Sequence, residues 1–492
     1  MNITRIRKRF ISVQIIFFCI ALTAMRLFHL EGSVEYLLIY SLWNVFSYTY
    51  LFFREIKLGK QFHPFIILAI VAAWYIGVNG ISLFITLMSG DKLNFGGSPI
   101  DHCVALGLLF MSLEHILLFG AFFFMEQKYS NKGDSRGDIM NNILSNDINY
   151  VRWAKISYAV VWLLRCVNYI VDLSNISHVL VQVSHIGPVI SLYYLLFAYV
   201  KTQRKKYLKA HWVIVVAEIL MVLDHGMKEE IILFLVPYVI YLIIMILAKR
   251  QKLNISMIFR FALLGLFVIG FVFPYVSIFR TISIDKGKEW SEISISEAVG
   301  EYIKYVRKDN SYKGDSESRG LEYAMSRAGS IGCNSFSIDY AIREGTTPLL
   351  LAYYIIGPVP RVVWPGKPIM IPGAMAYRLT KGEIDWMNPN AADEGNSVSL
   401  GFIGSCVLCM GLVLGIIWLC VIGVFVWFVW HSIQDKIHNN IIALWLFISY
   451  ISNVYKDFES FYDCGINYIV ISTAFLILMK VFNRQPTIYE KK

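Results

Sequence analysis

Charged residues are scarce in this chain, and that scarcity decides its broad class. Only 16% of the 492 residues are charged, whereas 57% are hydrophobic. A water-soluble protein of this length presents much more charge on its surface, so a soluble enzyme is excluded. Apolar runs recur along the chain, and about 20 such residues suffice for one helical crossing of a bilayer. The composition therefore predicts an all-α integral membrane protein.

The apolar runs predict about twelve transmembrane helices. Basic residues Arg5, Arg7 and Lys8 precede the first run. Because that run is long and a second one follows at once, we expect no cleavable signal peptide. The predicted spans are 10–30, 34–53, 64–89, 101–125, 156–175, 178–200, 211–225, 230–248, 256–279, 399–430, 440–456 and 464–482.

The distribution of basic residues between these spans predicts the orientation in the membrane. Lysine and arginine concentrate in the connections 54–63, 126–155, 201–210 and 249–255, while the short loops between them hold few. Positive charge accumulates on the cytoplasmic side, so these connections and both termini are predicted to be cytoplasmic. The formal net charge of +10 is thus explained by topology, and we expect no nucleic-acid partner.

This topology divides the chain into three regions. Residues 1–279 are predicted to form a bundle of about nine spans and residues 399–492 about three more. Residues 280–398, called the outer region below, are predicted to lie outside the cytoplasm. Within it, 291–310 and 319–344 have a helical pattern, whereas "TPLLLAYYIIG" at 347–357 is too short to cross and suits an interfacial or re-entrant segment. A loop of this length indicates a functional role.

Cysteine is also rare, with eight residues scattered along the chain. Most lie in or beside predicted spans, and Cys333 is the one cysteine of the outer region, so no disulfide framework is expected. Cys406 and Cys409 form a CxxC that opens an apolar span without a second pair. We therefore assign it no metal or redox role.

Several motifs with known chemistry are missing. The sequence contains no P-loop, which argues against an ATP-driven pump, and no HExxH or GxSxG motif. The outer region also holds no DxD pair that would bind a metal–nucleotide sugar. These absences favour a metal-independent donor such as a lipid pyrophosphate, with no cofactor.

A proline-rich stretch stands out against the apolar background. "PVPRVVWPGKP" at 358–368 holds Arg361, Trp364 and Lys367 between four prolines. Proline fixes the backbone, so the two cations are displayed with little freedom. Trp364 is either a tryptophan of the membrane interface or a flat platform for a sugar ring or prenyl chain. Lys367 would bind the same anion as the arginine beside it.

Two further arginines occur at the predicted outer membrane level. Arg280 follows the ninth predicted span and Arg327 lies in "AMSRAGS". Basic and acidic residues are nearly equal in number across the outer region, so an anion site there must come from placement. Arg280, Arg327 and Arg361 could converge on one phosphate, because guanidinium donates two hydrogen bonds to phosphate and stays charged. The alternative is that each extends to lipid headgroups.

Acidic residues lie just before the tenth predicted span, in "NPNAADEGNSVSLGFIG". Either Asp393 or Glu394 could accept the proton of a sugar hydroxyl, with Asn396 available for substrate binding. Equally, these acids could simply stabilise the start of the following helix through its dipole.

Ionisable residues also occur within the predicted spans: Arg165, Glu114, His115 and Glu218. Charges in lipid are paired or functional. Arg165 is expected either to pair with Glu114 or to line a cavity for a lipid pyrophosphate, which Lys228 on a short outer turn could join.

The layout as a whole resembles the Wzy-type O-antigen and capsule repeat-unit polymerases. The resemblance rests on about a dozen spans, a large late outer loop that starts with an arginine, "PVPRVVWPGKP", and the polar "DEGNSVSLGFIG" before the next span. It implies a membrane glycosyltransferase of the GT-C type in the bacterial cytoplasmic membrane. Such an enzyme transfers a growing glycan from undecaprenyl pyrophosphate to a lipid-linked repeat unit at the outer face. Activity would depend on Arg280 and Arg361, with Arg327 a further candidate.

The resemblance also implies binding partners and distinguishes a polymerase from related functions. The partners would be undecaprenyl-pyrophosphate-linked oligosaccharides, the bilayer and a polysaccharide chain-length regulator. The related O-antigen ligases use a histidine late in the outer loop, whereas residues 280–398 contain none. A transporter of lipid-linked oligosaccharide is the main alternative, supported by Arg165, Glu114 and Glu218 and opposed by the absence of an inverted repeat.

Overall fold

The computed structural model describes part of the chain. The described residues are 3–57, 64–88, 90, 94–95, 98–129, 149–170, 177–225, 234–235, 237–238, 241–242, 245, 275, 293, 295–306, 331–347, 364 and 401–437. The predicted spans 440–456 and 464–482 lie outside these residues, and most of 230–248 and 256–279 does too, so these four spans stay predictions.

The described chain is helical, apart from a two-residue antiparallel ladder, β1 (Asn94–Phe95) with β2 (Ser98–Pro99). A π-helix (Ala73–Val78) joins two of the helices and a 3₁₀ turn (Asp101–Cys103) precedes another. The helices are α1 (Ile3–Phe28), α2 (Val34–Lys57), α3 (Pro64–Ala72), α4 (Asn79–Met88), α5 (Val104–Tyr129), α6 (Tyr150–Ile170), α7 (Ser177–Thr202), α8 (Lys205–His225), α9 (Ile295–Val306), α10 (Ile331–Arg343) and α11 (Phe402–Ile437).

Four stretches of the described residues are long and apolar enough to cross a membrane: Thr4–Phe28, Pro64–Met88, Asp101–Tyr129 and Phe402–His431. Their apolar side chains are not confined to the interior. Ile16 and Ile20 of α1, and Val413 and Leu414 of α11, are about 60–70% exposed. Exposed rows of this kind suit contact with lipid. The prediction of an all-α protein is confirmed for the described residues, and these four helices are candidate membrane-spanning segments.

Backbone contacts divide the chain into two units, Met1–Asp134 with Ser174–Val179 and Ser330–Lys492, and Ser135–Leu173 with Leu180–Gly329. The predicted outer region contributes to both, since α9 belongs to the second unit and α10 to the first.

The first unit is built around α5, whose side chains are buried along most of its length. Phe119 and Phe122 of α5 form edge contacts with Phe65 of α3, and Phe119 also meets Phe10 of α1. At one end of this core, buried Arg7 binds Glu55 at 2.7 and 2.8 Å and Glu126 at 2.6 Å. The guanidinium thus ties α1, α2 and α5 together with charge-assisted hydrogen bonds.

Glycines at the contact with α2 allow the neighbouring helices of the first unit to approach it closely. A side chain at Gly80 would overlap Ser41 of α2, and one at Gly77 would overlap Val45. Gly77 lies in the π-helix, where the extra residue of a wider turn changes the face that the following helix presents. The small residues let α2 and α4 pack at short range, as membrane helices commonly do.

The second unit contains α6, α7 and α8. Buried Tyr193 and Phe197 of α7 lie in ring contact, and Tyr150 of α6 packs against Phe197. Ser191 donates a hydrogen bond to the carbonyl of Ala154 at 2.9 Å, which joins α6 to α7. Gly187, one residue before the proline inside α7, lies against Val161 of α6.

The predicted span at 399–430 is interrupted. Gly411 has φ 78° and ψ 172° inside α11, so the helix breaks there into residues 402–410 and 412–437. A side chain at Gly415 would lie 3.3 Å from the backbone of Cys406 and Val407, so the chain bends sharply at the break. Glycine adopts this left-handed φ without strain.

Replacing Gly107 with alanine should destabilise the first unit. A β-carbon there would overlap the Ser335 hydroxyl and lie 2.8 Å from the Ser335 backbone, which cannot move without shifting α10. Overpacking of this kind costs about 1–3 kcal/mol, and the loss should appear as a lower thermal midpoint of the detergent-solubilised protein.

Gly120 on the same helix is the matched control, because a β-carbon added there would have no neighbouring atom within 4 Å. Gly120→Ala should be neutral or stabilising by about 0.5–1 kcal/mol, since alanine is the better helix former. Equal midpoints for the two variants would contradict the close packing of α5 and α10.

Candidate functional site

Two of the predicted site residues, Arg165 and Trp364, lie within the described part of the chain. The other eight fall outside the described residues, and their roles stay predictions: Arg280, Arg327, Arg361, Asp393, Glu394, Lys367, Lys228 and Asn396. Trp364 is 42% exposed.

Arg165 of α6 is paired with Glu218 of α8. The guanidinium donates two hydrogen bonds to the carboxylate, at 3.0 and 2.8 Å. It also lies 5.8 Å from the ring centre of Trp162 and contacts the Met221 sulfur at 3.4 Å. Glu218 is fully buried, whereas the Arg165 side chain is 21% exposed. Two parallel hydrogen bonds to one carboxylate are the geometry that arginine favours.

The alternative pairing of Arg165 with Glu114 is therefore wrong. Glu114 instead accepts a hydrogen bond from the backbone N–H of Ile403 at 3.1 Å, at the start of α11. The physical reason is that the first N–H groups of a helix have no partner within it, and a buried carboxylate satisfies one of them while facing the positive end of the dipole.

Asn334 of α10 completes this buried helix start. Its side-chain oxygen accepts the N–H of Gly404 at 2.7 Å, and the side chain packs on Gly401, which has φ 74°. Asn334 and Glu114 are 1% and 2% exposed. Residues from α5 and α10 thus cap α11 together, and residues 401–404 are anchored at the junction of three helices.

Glu114 lies ten residues into α5, about 15 Å along the helix from its start. The junction is therefore embedded alongside an apolar helix and not at its end. The other oxygen of Glu114 has no hydrogen-bond partner among the described residues. A buried carboxylate oxygen without a partner is expensive, and such positions in membrane proteins are commonly functional.

The break in α11 is also part of this junction. The N–H of Thr347 donates to the carbonyl of Leu408 at 2.8 Å, just before Gly411. Leu408 lies in the last turn before the break, where the helix leaves carbonyls without partners of its own. Buried Thr347 is the first residue of the apolar segment 347–357, so that segment begins against the broken helix. Irregular backbone at membrane depth is tolerated where protein surrounds it.

A second polar cluster lies where α10 meets the start of α5. His102 Nε2 is 3.0 Å from an Asp339 oxygen, and Arg343 Nε donates to the other Asp339 oxygen at 3.0 Å. The Cys103 sulfur lies within 4.8 Å of the His102 and Asp339 donor atoms. His102 is half exposed, while Cys103 is buried.

Cys333 of α10 is a poor candidate nucleophile. Burial raises the pKa of its thiol to about 12, so the reactive thiolate is scarce at neutral pH.

Sequence reasoning did not identify His102, Asn334 or Asp339. Their partners lie far along the chain: Asp339 is 237 positions after His102, and Gly404 is 70 positions after Asn334. The available signal was weak: a polar run, "GCNSFSID", inside a stretch predicted to be helical.

Comparison of this chain with protein-family models, with curated proteins and with solved structures finds no match.

Proposed function

We propose that this chain is a membrane polysaccharide polymerase. It transfers a growing glycan from undecaprenyl pyrophosphate to the non-reducing end of a lipid-linked oligosaccharide repeat unit, at the outer face of the bacterial cytoplasmic membrane. The product would be an O-antigen, capsule or exopolysaccharide.

The observation that carries the proposal is the packing of α10 against α5 and α11. Charge distribution alone assigns residues 280–398 and the loop before residue 101 to the same outer face. The fold brings α10 of the outer region against that end of α5, through His102 and Asp339, and onto the first turn of α11. A polar junction next to apolar helices suits a substrate with a lipid tail and a sugar headgroup.

The chemistry needs a site for the leaving group. The hydroxyl oxygen of the acceptor sugar attacks the anomeric carbon, the glycosyl–phosphate bond breaks and undecaprenyl pyrophosphate leaves. Arg280, Arg327 and Arg361, with Lys367, would stabilise the charge that develops on the pyrophosphate. Asp393 or Glu394 would accept the hydroxyl proton, and Trp364 would provide the surface for sugar or prenyl contact.

A transporter of lipid-linked oligosaccharide is the second candidate, and one observation favours it. Broken helices and buried carboxylates mark substrate and ion sites in many transporters. The break at Gly411 and the buried Glu114 belong to one junction here. An O-antigen ligase is a weaker third candidate.

An assay with a defined substrate separates these functions. The purified chain in lipid nanodiscs would be given a synthetic undecaprenyl-pyrophosphate-linked repeat unit, and products would be separated by gel electrophoresis. A polymerase produces a ladder of repeat-unit multiples. No elongation, together with movement of the same substrate across proteoliposome membranes, would overturn the proposal in favour of transport. Transfer to another lipid or protein acceptor without elongation would indicate a ligase.

A further inference from the structure

We infer that His102, Cys103 and Asp339 form a binding site for a thiophilic divalent metal ion, with Zn²⁺ the best fit. The three donor atoms, an imidazole nitrogen, a thiol sulfur and a carboxylate oxygen, lie within 4.8 Å of one another. Zinc binds these ligand types at about 2.0–2.3 Å. The site does not depend on the proposed function.

The three ligands come from two separate parts of the chain. His102 and Cys103 belong to the 3₁₀ turn that leads into α5, and Asp339 lies on α10. His102 Nε2 and Asp339 Oδ2 are already 3.0 Å apart, close to the spacing of two ligands on one tetrahedral ion. Binding therefore requires the sulfur to approach and needs little movement of the other two donors.

The donor set selects the kind of metal. Calcium and magnesium take oxygen ligands, so a site with a thiol and an imidazole disfavours them. Zinc accepts sulfur, nitrogen and oxygen together. On binding, the Cys103 thiol releases its proton to solvent and exchanges its hydrogen bond to the Ile100 carbonyl, now 3.3 Å long, for a metal bond.

Arg343 fits the role of an outer partner. Its Nε donates to Asp339 Oδ1 at 3.0 Å, and its terminal nitrogen lies 2.9 Å from Oδ2. Such contacts orient a metal-binding carboxylate, and their loss typically weakens metal affinity by about 10–100-fold. The half-exposed His102 leaves one side of the site open to solvent, so a water molecule can take the fourth position.

The ion would act as a clamp between α10 and the start of α5. The polar contacts across this position among the described residues include the hydrogen bond between His102 and Asp339 and the weak bond from Ser335 to the Val104 carbonyl at 3.4 Å. A metal bound by residues 237 positions apart stabilises the folded chain, because the unfolded chain does not hold the ligands together.

The test uses the full chain, purified in detergent and stripped of metal with a chelator. Zn²⁺ is titrated and measured per chain by mass spectrometry after gel filtration, and Co²⁺ is used as a spectroscopic probe. We expect one zinc per chain, a cobalt–thiolate charge-transfer absorption and a higher thermal midpoint with zinc than with chelator.

Variants identify the ligands. Cys103→Ser should abolish the thiolate absorption, His102→Ala should remove stoichiometric zinc, and Arg343→Gln should weaken binding by about 10–100-fold. Cys333→Ser is the matched control, a cysteine on α10 outside the donor cluster, and should bind like the wild type.

A measurement on the wild type tests the site even if the variants fail to fold. Because Cys103 is buried, its alkylation is measured at a raised temperature at which the metal-free chain reacts. Zinc should slow that reaction, followed on the peptide that contains Cys103 by mass spectrometry. Cobalt binding without the thiolate absorption, or alkylation of Cys103 at the same rate with and without zinc, would overturn the inference.

Discussion

Replacing Arg361 with alanine should lower the rate of polymer formation by about 10²–10³, because one preorganised donor to the leaving group is lost. Arg361→Lys should lower the rate less, because lysine keeps the positive charge. Some activity should still be lost, because lysine lacks the paired hydrogen bonds of guanidinium. The measurement is the length and amount of polysaccharide made by cells, followed by the nanodisc assay. Membrane levels of the variants must match the wild type.

Arg26 provides the control for this experiment. It lies at the predicted outer end of α1, and its exposed side chain is 3.4 Å from Glu31. An exposed ion pair contributes little, so Arg26→Ala should give a full polysaccharide ladder. Full-length polymer in both Arg361 variants would remove this arginine from the site.

The helices are the part of the fold that the sequence predicts well. Apolar runs bounded by polar residues correspond to α1, α2, α5 and the segment from α3 to α4. Membrane-spanning helices satisfy their own backbone hydrogen bonds, so local composition suffices to place them. The ends differ by several residues, as with α1, which begins at Ile3 in place of residue 10 because its basic first turn is also helical.

The break in α11 is the feature of the fold that local composition does not predict. Gly411 sits within an apolar run that reads as one span, and glycine is common in such helices. What makes the break possible is a distant contact, the hydrogen bond from Thr347 to Leu408. A sequence pattern gives no warning of a partner that arrives from 61 residues earlier in the chain.

The partners of buried charges are hidden for the same reason. The sequence predicts Glu114 as the partner of Arg165, because a charge in lipid needs an opposite charge. Glu114 and Glu218 satisfy that condition equally. Which of the two carboxylates pairs with Arg165 depends on which helices pack together. Glu114 instead accepts a hydrogen bond from the N–H of Ile403.

The cations of the outer region combine a local feature that the sequence predicts with a tertiary one that it does not. Proline spacing predicts a rigid frame around Arg361 and Lys367 from covalent geometry alone. The convergence of Arg280, Arg327 and Arg361 on one phosphate is a statement about tertiary placement, on which composition has no bearing. These three arginines lie outside the described part of the chain, so mutation is the test of their convergence.

Arg165→Leu should destabilise the second unit by about 3–5 kcal/mol. Glu218 is fully buried, and without its partner the carboxylate has neither water nor a counter-charge. The reverse change, Glu218→Leu, should cost less, because the Arg165 side chain is 21% exposed and can turn towards a more polar environment. The measurement is unfolding by SDS titration, with thermal midpoints as a second readout.

The double variant separates a structural pair from a substrate site. Arg165→Leu combined with Glu218→Leu should recover most of the lost stability, since two apolar side chains replace a buried ion pair at little net cost. If the pair is structural, the double variant also recovers polymer formation. If the double variant is stable and inactive, Arg165 acts on the substrate, as the lipid-pyrophosphate alternative requires. Equal destabilisation by both single variants would contradict the asymmetry of their burial.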